Sequence, residues 1–451
     1  MQMQFTPWTL FLDVGIMSIL ILLGVFIRAK VKPIQELFLP AGLIAGFLGL
    51  AFGPNGLDYI PFSGSIGTYA GILIALVFGA LPLTSPPVKF KEVFNRVGEM
   101  WSYSQMAMIL QWGLGSLFGI WVLCTIWPDL NSAFGLMLAS GFSGGHGTAA
   151  AIGSAFEGLG WEDARSLAMT SATVGILSAV IGGVLLIKLG TLRGHTNYLS
   201  DFKQLPQSLR TGILPEEQQE SLGKETTSAI SVDPLCFQLG LILVIAIGGY
   251  WISKGVGAVF PKLSLPVFSC AFIVGLIVKH IVLSCDAHHL VEPKVIGRLN
   301  GTFTDFLVAF GVASIKLPVV MKYATPLVLL FAFGILYCLF FFYYIGPRML
   351  HTNWYEKSVF TWGWLTGTMA MGIALLRIAD PKQESGSLDD FAFAYMPMAP
   401  VEIVVVSVSP LLFANGQGMY FIAACVGGGL AVWVVALMKG WFTFSINRQK
   451  N

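Results

Sequence analysis

The sequence predicts an all-α polytopic membrane protein built as two inverted repeats. Each repeat holds five transmembrane helices and one re-entrant hairpin, and an extra helix follows at the C-terminus. Three observations carry this reading. The first is composition: of 451 residues, 55% are hydrophobic and only 11% charged, with a mean hydropathy of +0.75. A soluble domain holds about 25% charged residues. The apolar runs here are long and continuous, which marks helices and not a barrel. The second is a glycine-rich stretch, ASGFSGGHGTAA from Ala139 to Ala150, inside sequence of membrane character. The third is a second break 220 residues later, where Gly367-Thr368 answers Gly147-Thr148 and GTMAMGI answers GTAAAIG.

The breaks matter because of backbone chemistry. Ser143-Gly144-Gly145-His146-Gly147-Thr148 makes a poor helix, since each Gly weakens one. Unpaired backbone in hydrocarbon is costly, so broken backbone at membrane depth must be buried in protein or line a wet cavity. Two breaks in matching halves point to a transporter with its substrate site between the repeats.

The elements follow in order. Eleven spans are expected near 8–27, 38–54, 67–84, 101–126, 166–188, 235–253, 265–283, 303–320, 326–346, 392–413 and 418–438, with re-entrant segments near 132–156 and 358–378. MQMQFTPW carries no Lys or Arg, so the first span reads as a retained anchor and not a cleaved signal peptide. Leu39-Pro40 with Gly49-Leu50 matches Leu265-Pro266 with Gly275-Leu276, and GTYAGILIAL from Gly67 matches GTFTDFLVAF from Gly301. These pairs, followed by the two breaks, come in the same order. Five spans per half is an odd number, so the halves are inverted. The first repeat is 1–189, a polar linker 190–233, the second repeat 234–414, and the added helix with its tail 415–451. The linker carries Pro206 and Pro215, with a short helix expected at Pro215–Glu220, and no enzyme motif.

Charge sets the expected orientation. With the N-terminus outside, the C-terminus cytoplasmic and both breaks re-entrant, 21 of the 26 basic residues fall on the cytoplasmic side. The exceptions are Arg165, Lys254, Lys262, Lys316 and Lys322. The net charge of +2 implies no nucleic-acid partner, and six scattered cysteines without a Cys-x-x-Cys suggest neither a metal cage nor a disulfide framework.

The candidate site is read from the breaks outward. Free N–H groups and half-helix positive ends at Gly144, Gly145, His146, Gly147, Thr148, Gly367 and Thr368 suit a carboxylate. Oxygens of Ser143, Thr148, Thr366 and Thr368 suit Na⁺, a hard cation. Thr170, Ser171 and Thr173 on the fifth span either add ion ligands or bond only their own backbone. His146 either donates to a carboxylate or packs against backbone. Glu402, halfway into the tenth span, is a cation or proton site, or a protonated carboxyl in a packing contact. Arg377 either neutralises a substrate carboxylate or snorkels to the surface. Asp13 is expected at the outer headgroup region. No His-Glu-x-x-His, Gly-x-Gly-Asp or Asp-rich diphosphate pattern occurs, so an enzyme is not expected. An ion channel would be a pore repeated around an axis, not inverted halves with unlike hairpins.

ASGFSGGHGTAAAIGSAF, followed by SLAMTSATVGIL, resembles the signature of the bacterial sodium:glutamate symporter family. The likeness covers 132–190 and continues more weakly through the second half, where AFAYMPMAP at 392–400 again looks familial. The resemblance implies Na⁺-coupled uptake of glutamate across the inner (plasma) membrane, with Na⁺ as coupling ion and no other cofactor. It implies a homodimer, hairpins meeting at the substrate, an elevator mechanism, and a distant architectural relation to the bacterial citrate and malate (2-hydroxycarboxylate) transporters. There are departures. The second break reads FTWGWLTGTMAMGIALLRIADP, with Trp362 and Trp364 where the family is richer in glycine. Glu402 stands where the family is uncharged, Val405 where it is acidic, and the last span is extra. These departures leave another dicarboxylate or amino acid, or H⁺ coupling, as alternatives.

Overall fold

The computed structural model describes residues 5–36, 39–84, 90–198, 211–259, 266–380 and 384–444. Lys89, Lys203, Arg210, Lys262, Lys382, Arg448 and Lys450 of the basic-residue count lie outside the described residues, as do 199–210 of the linker. Among the described residues every regular element is a helix. The main ones are α1 (Pro7–Lys30), α2 (Ala41–Phe52), α3 (Ile66–Thr84), α4 (Val97–Ile126), α5 (Leu136–Gly141), α6 (Gly145–Gly158) and α7 (Ala164–Leu192). After the linker come α8 (Pro234–Val259), α9 (Val267–Ser284), α10 (Pro293–Ala313), α11 (Ala324–Met349), α12 (Trp354–Thr366), α13 (Met369–Ala379), α14 (Ser387–Ala414) and α15 (Gly418–Met438).

Among the described residues, nine of these helices are long and apolar enough to cross a membrane: α1, α3, α4, α7, α8, α9, α11, α14 and α15. Two of the eleven expected spans fall outside that group. The second is α2, only 12 residues long. The eighth is expected at 303–320, but α10 begins at Pro293 and takes in Lys294 and Arg298. It stops at Ser314 because Pro318 opens a separate short helix, Leu317–Lys322. Proline carries no N–H to continue the earlier one.

Local signals explain where the helices start and bend. Thr6 and Thr9 form a reciprocal cap around Pro7 at the head of α1, satisfying N–H groups that the first turn leaves open. Pro40 and Pro266 precede α2 and α9 in nearly the same extended geometry, φ −61° and ψ 142° against φ −61° and ψ 137°. Near their ends α4 and α11 each contain a π-helical turn, Gly119–Leu123 and Phe341–Ile345. Pro82 lies inside α3, and Pro397, Pro400 and Pro410 lie inside α14, each without an N–H to donate to the preceding turn. In the linker, the expected short helix is a single 3₁₀ turn, Glu216–Gln218.

One large buried cluster centres on α4 to α7 and α11 to α14 and also takes in Leu43 of α2, Ile74 of α3, Phe268 of α9, Leu307 of α10 and Cys425 of α15. Two smaller clusters tie α1–α3 to α10 through Met17, Phe62 and Phe310, and α3 to α8 through Leu76, Ile242 and Ile245. Asp13 lies beside the α1–α3 and α10 cluster, enclosed by protein. It is 1% exposed and accepts hydrogen bonds from Ser63 N (2.9 Å), Ser63 Oγ (2.5 Å) and Tyr69 Oη (2.7 Å). The carboxylate pins the α2–α3 loop to α1. Asp13→Ala strands three buried donors and is expected to cost about 3 kcal/mol. The lost stability is read as a lowered unfolding temperature, with Asp13→Asn falling in between.

Candidate functional site

The first break is shorter than its glycine content suggests. Helix α5 ends at Gly141, and α6 resumes at Gly145. His146, Gly147 and Thr148 therefore form the first turn of a helix and not an open loop. The physical reason is that first-turn N–H groups have no intrahelical partner in any case. Gly145 makes the corner with φ +60°, a left-handed conformation that disfavours side chains. The second break is tighter still. Gly367 ends α12, and Thr368, in extended geometry, caps α13 by accepting from Met371 N at 3.3 Å.

The two breaks meet. A Cβ placed on Gly145 would lie 2.5 Å from Thr368 Cγ2 and 2.9 Å from Gly367 O. Helix α7 runs past both tips, and a side chain on Gly175 would run into Thr366 O on one side and Phe142 on the other. Trp362 Nε1 donates to Ala179 O at 3.2 Å, fastening α12 to the same helix. The ends of each broken segment also lie together. Asn131 and Ser132 share a small cavity with Phe156 and Trp161. Asn353 Nδ2 donates to Ser385 O at 3.0 Å, and Lys357 Nζ pairs with Asp390 at 2.9 Å.

His146 is 1% exposed, with Nε2 3.1 Å from Thr173 Oγ1. Thr173 spends its one hydroxyl proton on Met169 O at 2.9 Å, so it accepts from the ring. That assigns the proton of neutral His146 to Nε2 and leaves Nδ1 as a buried acceptor without a partner. Most of the hydroxyls named as ion ligands follow one pattern. Ser143 donates to Ala139 O (3.0 Å), Thr170 to Ser166 O (2.6 Å) and Thr366 to Trp362 O (2.6 Å). Each donates its proton to a carbonyl one turn back, and its oxygen lone pairs remain for a donor or a cation. Ser171 departs from the pattern: its hydroxyl is buried without a partner.

The structure thus brings Gly145, Gly367 and Thr368 into one place, with Ser143, Gly144, His146, Gly147, Thr148 and Thr366 beside them in the chain and Thr173 bonded to His146. Thr170 stands one helical step below, on α7. Glu402 is 9% exposed on α14 and accepts from Tyr395 Oη at 2.9 Å. Tyr395 packs on Trp364 at 6.4 Å between ring centroids, which links Glu402 to α12 two residues before Thr366. Arg377 is exposed on the last turn of α13, ten residues beyond Gly367, and is not drawn to the tips.

Two polar residues near this region escape a reading of the sequence. Gln111 on α4 is 1% exposed, donates to Leu365 O at 3.3 Å, and keeps its Oε1 unpaired. Tyr395 holds Glu402. The available signal was a neutral amide or hydroxyl inside an apolar span; a scan for charge alone passes over it.

Helices long enough to span a bilayer, with broken segments that meet in the interior, define a polytopic α-helical membrane transporter. The chain belongs to the sodium/glutamate symporter family, which it matches over residues 10–375. It is a Na⁺-coupled transporter and not an enzyme. The match stops before AFAYMPMAP and before Glu402. A comparison with curated proteins finds no match.

Proposed function

We propose that the chain accumulates glutamate across the plasma (inner) membrane, driven by Na⁺, by an elevator mechanism. The observation that carries the reading is the meeting of two helix breaks at Gly145 and Gly367–Thr368, in a member of a sodium/glutamate symporter family. The first turn of α6 aims unpaired N–H groups toward the tips, which suits a substrate carboxylate. His146 Nδ1 is an acceptor for an ammonium N–H, and a zwitterionic amino acid carries both groups. Oxygens of Ser143, Thr170, Thr173 and Thr366 are the candidate Na⁺ ligands, with Glu402 behind them.

The repeat is proposed on the same footing. Proline-capped helices α2 and α9, π-turned α4 and α11, and broken pairs α5–α6 and α12–α13 recur in the same order. That order, with the ends of each broken segment side by side, supports re-entrant hairpins in two inverted halves. In the elevator reading the body around the broken segments moves against α1–α3 and α8–α10. In this reading the protein is a homodimer with its N-terminus outside and its C-terminus cytoplasmic.

Purified protein in proteoliposomes tests the proposal. Labelled glutamate is expected to accumulate above its external concentration under an inward Na⁺ gradient, and not under a K⁺ gradient. Accumulation driven by a proton gradient alone overturns Na⁺ coupling. Preference for malate or citrate in the same assay overturns glutamate, and ion flux without substrate identifies a channel.

A further inference from the structure

A cavity of about 810 Å³ lies along the flank of α6, between it and α3, α8 and α9, and reaches Ile74, which packs against Gly147. Its chemistry is graded along its length. At the end where α3, α7 and α9 begin and α8 finishes, it is lined by Thr68, Arg165, Tyr250 and Lys254. One to three helical turns deeper, its walls are Ile72, Leu76, Leu243 and Ile247. Ile72, Leu243 and Ile247 are 62%, 48% and 44% exposed, so the apolar part opens sideways on the surface of the helix bundle.

The cations at the polar end are not equivalent. Arg165 is paired with Glu157. Among the described residues Lys254 has no carboxylate partner; its ammonium lies 5.7 Å from the centroid of the Tyr250 ring. Between the two ends, Ser154 lines the cavity with a buried hydroxyl that has no hydrogen-bond partner. A cation with no carboxylate partner among the described residues, then an unbonded hydroxyl, then an apolar trough follow the order of phosphate, ester and acyl chain in a phospholipid. A small polar acid would leave the apolar trough unfilled.

We propose that this cavity binds one anionic phospholipid, with the headgroup phosphate at Lys254 and an acyl chain along Leu243 and Ile247. The charge complementarity is that of basic pockets between membrane helices. The lipid would sit between α6 and the α3–α8–α9 wall, wedged against the flank of the first hairpin. The inference does not depend on which substrate is carried.

Native mass spectrometry of the full-length protein in detergent tests it, with phosphatidylglycerol, phosphatidylcholine or inorganic phosphate titrated in. The expected result is one tight phosphatidylglycerol per chain, weakened by roughly fivefold in Lys254→Gln, the worth of one basic residue toward an anionic headgroup. In Ile247→Trp, which fills the trough, that lipid is lost. Phosphatidylcholine should bind the wild type no better than phosphatidylglycerol binds Lys254→Gln, and phosphate alone should not bind. Unfolding temperatures check that each variant is folded, and Leu243→Trp replaces Ile247→Trp if the latter is not. Equal phosphatidylglycerol binding in the wild type and both variants overturns the proposal. So does an Ile247→Trp protein that falls from dimer to monomer with its lipid count unchanged, since the trough is then a contact between two copies.

Discussion

Gly145→Val is expected to reduce uptake to background while the protein still inserts and folds. Gly145 sits at φ +60°, where a side chain costs about 1–2 kcal/mol against a typical folding stability of about 5–15 kcal/mol. Strain alone therefore leaves most molecules folded. The steric effect is local and decisive, because the new Cβ would stand 2.5 Å from Thr368 Cγ2 and 2.9 Å from Gly367 O. The tips must part, and a branched side chain then fills the gap where a carboxylate would reach the first N–H groups of α6. Gly367→Val acts from the other tip, where its Cβ would meet Ala179 Cβ at 2.9 Å. Gly158→Val is the control on the same helix, since nothing lies within 4 Å of a Cβ there. Uptake is compared at equal membrane abundance. Normal transport by both tip variants would mean that the tips only pack and that substrate binds elsewhere.

The breaks were legible because a cluster of glycines weakens a helix wherever it stands, and at membrane depth the loosened backbone must be sheltered. Their geometry was not, because it depends on partners far away in the chain. His146 meets Thr173, Asp13 meets Ser63 and Tyr69, and Gln111 meets Leu365, all pairs that no local pattern joins. The eighth span was misplaced because apolar sequence continues past Ser314, so hydropathy carried the helix through a point where Pro318 ends it. Trp362 and Trp364 stand just before the second break. In the fold they are fasteners: Trp362 bonds α7, and Trp364 packs on Phe391 at 5.1 Å and on Tyr395. Aromatic packing stiffens α12 and leaves the turn itself to Gly367.

Glu402→Gln is expected to raise the Na⁺ concentration for half-maximal uptake by about tenfold, equivalent to about 1.4 kcal/mol of lost ion binding. The carboxyl is buried, and a buried ionisable group among membrane helices asks for a partner. Its hydrogen bond comes from Tyr395, whose ring leans on Trp364, so a cation at Glu402 would be linked through two side chains to α12 just before the second break. Glutamine keeps the shape and an acceptor for Tyr395 Oη while removing the charge, so a change in Na⁺ dependence reports charge and not packing. Tyr395→Phe makes the converse change: the charge stays and the hydrogen bond goes. If Glu402 instead carries a proton, Glu402→Gln flattens the pH dependence of uptake and leaves the Na⁺ curve in place. If the carboxyl only packs, neither curve moves and uptake follows protein abundance. Two unchanged curves at equal abundance would remove Glu402 from the site and leave Na⁺ to the hydroxyl oxygens of α7 and the two helix breaks.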